Sequence, residues 1–193
     1  MNICVYAASS TRLAHDYYRA AEELGRLIAE GGHTLVFGGG AEGLMGACAR
    51  GVRAGGGKMI GVAPRFFDEP GVLLKEGCEF VFTETMSERK REMDRLSDAF
   101  IALPGGIGTY EEFIETLTLK QLGRHRKPMA ILSTLDYYAP FMEMLRHTAD
   151  SGFMSRGVLS LFALCKTPGE ALAHVTAPVP PADSAPSLAD YNR

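Results

Sequence analysis

The chain has 193 residues, 46% hydrophobic and 22% charged, with a net charge of -3; this suffices for one sizeable core and matches an ordinary globular domain. The slight acidity, with arginines scattered along the chain, leaves no basic footprint for polymeric nucleic acid. No apolar run approaches the roughly 20 residues needed to span a bilayer, the N-terminal residues lack the pattern of a signal peptide, and four cysteines, Cys4, Cys48, Cys78 and Cys165, show no paired metal spacing, so a cytoplasmic location without membrane contact is expected.

Taken in chain order, apolar runs suited to buried strands alternate with helical stretches. A strand is expected at Ile3–Ala8, then a turn at Ala7–Thr11, a helix at about His15–Glu30 and a strand at Thr34–Phe37. The glycine-rich turn Gly38–Gly46 leads into a helix at Gly43–Ala54 and a strand at Met59–Val62. A non-periodic link, Pro64 to Lys75, precedes a strand at Glu79–Phe82 and a helix at Glu84–Leu96; a link of that length is often functional. A strand at Ala99–Leu103 is followed by the turn Pro104–Thr109 and a helix at Glu111–Leu122. The series closes with a strand at Met129–Leu132, a helix at Tyr137–Asp150, a strand at Leu161–Cys165 and a helix at Pro168–Val175.

This rhythm predicts an α/β, Rossmann-like doubly wound fold, a mostly parallel sheet with helices on both faces, as a single domain over 1–175. Residues 176–193, with four prolines and no apolar periodicity, are expected to form a disordered tail. All three turns follow strands, so all would open at the carboxyl edge where such sheets bind ligands. None carries a full G-x-G-x-x-G fingerprint, which argues against a dinucleotide. The five histidines occur singly, so no metal is expected. The methionines at 45, 86, 93, 129, 142, 144 and 154 read as core filling.

The densest signal is Leu103-Pro104-Gly105-Gly106-Ile107-Gly108-Thr109-Tyr110-Glu111-Glu112. Glycines at a strand-to-helix junction let backbone N–H groups approach an anion, and the helix N-terminus adds unsatisfied donors. Glu112 follows within a turn of helix, as a reacting carboxylate or as a first-turn complement to the helix dipole. Upstream, Met86, Arg89 and Met93 share a helical face, which sets a guanidinium either inside an apolar stripe or at its rim with a wet head. Ser9 and Ser10 offer phosphate or base contacts, or a cap for the next helix.

Arg89, Lys90 and Met93, followed by Pro104, Gly105, Gly106, Gly108, Thr109 and Glu112, resemble the paired signature R-K-x-x-M and P-G-G-x-G-T-x-x-E of the Lonely Guy (LOG) family of cytokinin-activating phosphoribohydrolases. Gly38-Gly39-Gly40-Ala41-Glu42-Gly43-Leu44-Met45-Gly46 is similar to that family's glycine-rich turn after the second strand, and the resemblance runs from about Asn2 to Val175. It implies hydrolysis of a nucleoside 5′-monophosphate to free base and ribose 5-phosphate, with no cofactor. Glu112 and Arg89 are the implied catalytic pair, and Lys90, Gly105, Gly106, Ile107, Gly108, Thr109, Thr118, Gly39, Gly40, Met45, Ser9, Ser10 and Glu69 the implied binding residues. A homodimer with a shared site is implied too; the apolar Phe113, Ile114, Leu117 and Leu122 beside Glu112 fit either that interface or packing on the sheet. The first turn departs from the family pattern, since Ala7 and Ala8 stand where a glycine commonly precedes the paired serines, which puts close backbone approach at Ala8 in question.

Members of this family often carry a lysine decarboxylase label; no lysine here sits in a recognisable pyridoxal-phosphate setting. Two alternatives stay open. One is a nucleosidase of broad nucleotide taste, the other a non-catalytic nucleotide or molybdenum-cofactor carrier, which would need the glycine cradle but neither Arg89-Lys90 nor Glu112.

Overall fold

Seven strands form one fully parallel sheet in the order β4-β3-β2-β1-β5-β6-β7 in the computed structural model, which describes residues 1–178. The strands are β1 (Asn2–Tyr6), β2 (Thr34–Phe37), β3 (Lys58–Pro64), β4 (Glu79–Thr83), β5 (Ala99–Ala102), β6 (Met129–Leu132) and β7 (Ala163–Cys165), and the helices are α1 (His15–Glu30), α2 (Gly43–Ala54), α3 (Met86–Leu96), α4 (Ile107–Gln121), α5 (Ala139–Asp150) and α6 (Pro168–Thr176). The expected doubly wound α/β architecture is therefore present. Residues 179–193, most of the expected tail, lie outside the described residues.

Side chains on successive strand residues point to opposite faces, and the strands are apolar on both. Ile3, Val5, Leu35, Phe37, Ala99 and Ile101 pack against Ala21, Leu24 and Ile28 of α1, Leu44 and Ala47 of α2 and Ala171 of α6. Cys4, Tyr6, Val36, Val62, Phe100 and Ile131 pack against Met93 of α3, Phe113 and Leu117 of α4 and Phe141 and Leu145 of α5. Burying each Leu, Ile or Phe contributes on the order of 1.5–3 kcal/mol, so this two-faced pattern fixes strand register. Met86 (40% exposed) and Met144 (51%) depart from the core-filling reading; both fall on the outward side of their helices.

Sequence order reverses between β1 and β5, making a topological switch point there. The turn after β1 and the turn after β5 flank it, and α3 and α4 both lie on the second face, so tertiary winding brings the two signature segments together.

Three helix starts differ from expectation. α3 begins at Met86 because Thr85 caps it: the Glu88 N–H donates to Thr85 Oγ1 at 3.1 Å and the Thr85 N–H to Glu88 Oε2 at 3.3 Å. α5 begins at Ala139, after Leu135 and Asp136 have turned through φ of 53° and 55°. α4 begins at Ile107, four residues before the expected Glu111.

Candidate active site

The capping box sets the phase of α3 so that Arg89 and Met93 face the sheet while Met86 faces outward. Arg89 is 6% exposed, which rules out a wet guanidinium at the rim. Its Nε donates to the Val62 carbonyl at 3.0 Å, and its Nη1 donates to Glu112 Oε1 at 2.5 Å. At Gly38, the residue just after β2, a Cβ would overlap Arg89 Nη2, so glycine there makes room for the guanidinium. Two charges taken out of water lose hydration, and only the close geometry and the extra carbonyl bond compensate. Burial pushes the Glu112 carboxyl above its ordinary range, against the opposing pull of Arg89.

The early start of α4 changes the reading of the glycine turn. Gly106 is the N-cap and supplies no side-chain cap, and Gly108 and Thr109 are already helical. Glu112 thus belongs to the second turn, not the first, and the dipole-complement reading fails; the first turn holds no acidic residue. The run P-G-G-x-G lowers helix propensity enough to disguise this from sequence. The Tyr110 N–H is the first to bond within the helix, to the Gly106 carbonyl at 3.1 Å, and among the described residues no acceptor bonds the N–H groups of Gly106, Ile107, Gly108 or Thr109. The Thr109 side chain is buried and folds back against Gly105, where a Cβ would collide with it. Added Cβ atoms at Gly106 and Gly108 would meet nothing within 4 Å, so this end of the helix is open.

The other two turns are arranged differently. The Ala8 N–H donates to the Pro104 carbonyl at 3.2 Å, and the Ala8 carbonyl accepts from the N–H groups of Leu44 (2.9 Å) and Met45 (3.2 Å). Close backbone approach is therefore made with alanine in place, and it occupies the first-turn donors of α2, which are lost as anion donors. Gly43, at φ 62°, lies directly under Ala8 and Ser9. Ser9 and Ser10 are exposed beside this junction, and neither caps α1, whose N-cap is Ala14. Gly39, at φ 78°, gives its carbonyl to the Leu74 N–H at 2.8 Å, while the Gly40 N–H donates to Met45 Sδ at 3.3 Å. Gly40 thus bonds to Met45, while Gly39 bonds to Leu74 and the Ala41 N–H to the Val72 carbonyl. Glu69 is exposed in the following loop.

Lys90 pairs with Glu111 and, at 2.5 Å, with Glu115; these hydrogen bonds raise its pKa, Glu111 foremost. A cleft of about 90 Å³ opens there, lined by Lys90, Arg91, Asp94, Glu112, Glu115 and Thr116 among others. Thr118 is exposed, with its hydroxyl donated to the Ile114 carbonyl at 2.8 Å, and it shares no burial with Glu112. It completes a strip on the outer side of α4 with Ile107 (84% exposed), Glu111 and Ile114 (41%), at spacings of four, three and four. Phe113 and Leu117 instead pack into the chain's own core.

Sequence reasoning missed several residues packed behind the site. Tyr6 OH and Thr116 Oγ1 lie 3.0 Å apart under Glu112, whose carbonyl accepts from Thr116 at 2.9 Å. Tyr137 and Tyr138 donate their hydroxyls to the carbonyls of Gly105 and Leu103, each at 2.7 Å. Apolar-strand patterning conceals Tyr6, and no local motif marks the other three. The capping box T-x-x-E at Thr85–Glu88 was the one legible signal passed over.

Residues 45–175 match the family model described as "Possible lysine decarboxylase". The chain is 39% identical, over 92% of its length and 74% of the relative's, to "Cytokinin riboside 5'-monophosphate phosphoribohydrolase LOG" of Oryza sativa subsp. japonica. It is 37% identical, over 92% of its length and 90% of the relative's, to "Cytokinin riboside 5'-monophosphate phosphoribohydrolase" of Rhodococcoides fascians. Among solved structures, the molybdenum cofactor carrier protein of Chlamydomonas reinhardtii superposes with a TM-score of 0.66 at 26% identity, covering 89% of this chain and 93% of that one. The molybdenum cofactor binding protein of Rippkaea orientalis shares the fold, with a TM-score of 0.64 at 20% identity over 89% and 91% of the two chains.

Proposed function

The chain belongs to the family of the cytokinin riboside 5′-monophosphate phosphoribohydrolases, and from that premise we propose that it hydrolyses the N-glycosidic bond of adenosine 5′-monophosphates, N6-substituted ones among them, releasing the free base and ribose 5-phosphate. The observation that carries this reading is the buried Arg89–Glu112 pair one turn along α4 from an open, uncapped glycine N-terminus. Gly108 and Glu112 are separated by about 6 Å along the helix axis, which suits a phosphate held by the N–H groups of Gly106–Thr109 and a ribose laid toward the carboxylate.

In the reaction the C1′–N bond breaks, its electron pair leaves with the base, which takes up a proton, and water oxygen bonds to C1′. Positive charge builds on the sugar as the bond opens, and ionised Glu112 stabilises it and orients the water. Of two tasks for Arg89, orienting Glu112 and the ribose hydroxyls or helping the leaving base accept negative charge, the first is the better supported, because Nε and Nη1 are already given to Val62 and Glu112. A bound phosphate converts binding energy of a non-reacting group into ribose position. Lys90, Ser9, Ser10, Thr118 and Glu69 complete this site in the proposal, with Gly39, Gly40 and Met45 shaping its wall. The outward strip Ile107–Glu111–Ile114–Thr118 favours a homodimer whose partner helix covers it. No helix among the described residues is long and apolar enough to cross a membrane.

Incubation with AMP, GMP, CMP, N6-isopentenyl AMP and adenosine, with chromatography for released base, tests the reading. Base release from the adenine nucleotides well above that from adenosine is expected; equal rates on nucleoside and nucleotide would overturn it. The carrier reading draws on the structural likeness to the Chlamydomonas protein, but a passive carrier gives no reason for a buried guanidinium–carboxylate pair, and failure to release any base would restore it.

A further inference from the structure

We propose that the Tyr137 hydroxyl is a positioning group for the phosphate cradle, holding the Gly105–Gly106 peptide so that its N–H faces the substrate's 5′-phosphate. The inference rests on the cradle reading above. A trans peptide carries its C=O and N–H on opposite sides, and the described residues contain no cis bond. Tyr137 OH donates to the Gly105 carbonyl at 2.7 Å, so the N–H of the same peptide, that of Gly106, is aimed away from the tyrosine at the open end of α4. Gly106 is exposed and an added Cβ would meet nothing within 4 Å, so it has no side-chain packing to oppose rotation of this peptide. An outside hydrogen bond is what selects one orientation.

The surroundings brace that hydroxyl. The adjacent Tyr138 ring lies edge-on to that of Tyr137, with centroids 5.1 Å apart. Tyr17 meets the Tyr137 ring edge-on with centroids 6.0 Å apart. The turn that delivers Tyr137 is locally unfavourable: Leu135 and Asp136 are both left-handed non-glycine residues, and the Thr134 hydroxyl is buried with no hydrogen-bond partner among the described residues. Strain of this kind persists where the surrounding structure over-determines it.

Tyr138 is a built-in control. It donates to the Leu103 carbonyl at the same 2.7 Å, but the next residue is Pro104, which has no N–H, so that bond orients no donor. Tyr137→Phe, Tyr138→Phe and Tyr17→Leu would be assayed on AMP and adenosine, with ribose 5-phosphate affinity by calorimetry and a melting curve for each. Tyr137→Phe should lower the AMP-over-adenosine preference and the ribose 5-phosphate affinity on the order of 10- to 100-fold, the range of a charge-assisted hydrogen bond, mainly through KM. Tyr17→Leu, which removes the ring packed edge-on against Tyr137, should move the same quantities in the same direction by less, which serves if Tyr137→Phe folds poorly. Tyr138→Phe should lower Tm and leave the preference intact. Wild-type preference and phosphate affinity in a folded Tyr137→Phe would overturn the proposal, as would an equal loss in Tyr138→Phe. If the wild-type protein itself shows no preference for AMP over adenosine, the cradle reading fails rather than the role of Tyr137 within it.

Discussion

Arg89 and Glu112, 23 positions apart in sequence, meet at 2.5 Å with side chains 7% and 12% exposed, and the same guanidinium reaches back to the carbonyl of Val62 on β3. The pair ties two helices and a strand into one unit, so its chemistry and its contribution to stability are coupled.

Glu112→Gln keeps shape and removes charge. Base release should fall by a factor on the order of 10²–10⁴ while nucleotide affinity, by calorimetry, stays near wild type. Tm should also drop, because Arg89 is left as a buried charge without its counterion. Arg89→Ala should lose most turnover, and the double variant should be little worse than either single one. Near-additive losses in turnover would separate the two roles.

The raised pKa of Glu112 sets opposing pH slopes. A carboxyl whose folded-state pKa lies above its unfolded value, ordinarily 4.5, makes the folded protein bind more protons between the two values. Its contribution to stability is greatest below 4.5 and declines as pH rises through the folded value, whereas turnover, which needs the ionised form, rises over that window. The acid limb of the kcat profile should therefore lie above the usual carboxylate range. Glu112→Gln should flatten the corresponding slope in the denaturation midpoint; an unchanged slope would mean another group titrates there.

Gly38→Ala places a methyl group where Arg89 Nη2 lies, with Met45 Sδ 3.2 Å away. The guanidinium should leave its bond to Glu112, so Tm should fall together with turnover, as for Glu112→Gln. A displacement of about 1 Å can cost on the order of 10² in rate. Wild-type base release would show that the glycine is not required.

Gly108→Ala separates stability from binding. The position is helical with open space around it, so alanine should stabilise α4 by roughly 0.5–1 kcal/mol. The same methyl stands at the mouth of the cradle and should raise KM for AMP. A higher Tm with a higher KM is the expected combination, and an unchanged KM would place the phosphate elsewhere.

Leu135, at φ 53° and 62% exposed, occupies a left-handed conformation disfavoured by about 1–2 kcal/mol for a residue with a Cβ. Leu135→Gly removes that strain at an entropic cost of roughly 0.5–1 kcal/mol, so calorimetry should show Tm unchanged or raised by a few degrees. A clear drop would mean that the exposed leucine makes stabilising contacts.

Much of the fold was legible because it is written locally. α1, α2, β2 and β6 have the bounds expected from apolar spacing and turn chemistry alone. The errors fall where local preference and tertiary context disagree: α4 starts inside a glycine run that disfavours helix, α5 waits for two left-handed residues that no propensity anticipates, and the carbonyl of Ala8 occupies the α2 terminus that the glycines of the second turn suggested was open.

The sequence by itself determined the α/β class and the strand and helix order, because periodicity is a property of neighbouring residues, and it singled out Arg89, Glu112 and the glycine turn as candidates through their resemblance to a family signature. Only the tertiary structure decided that Arg89 is buried against Glu112, that the donors after β2 are occupied while those after β5 are open, and that Tyr6 meets Thr116 and Tyr137 meets the Gly105 carbonyl. These depend on strand order, which places β5 beside β1 across the switch point and brings residues 23 to 110 positions apart within hydrogen-bond reach; no local pattern encodes a partner at that distance.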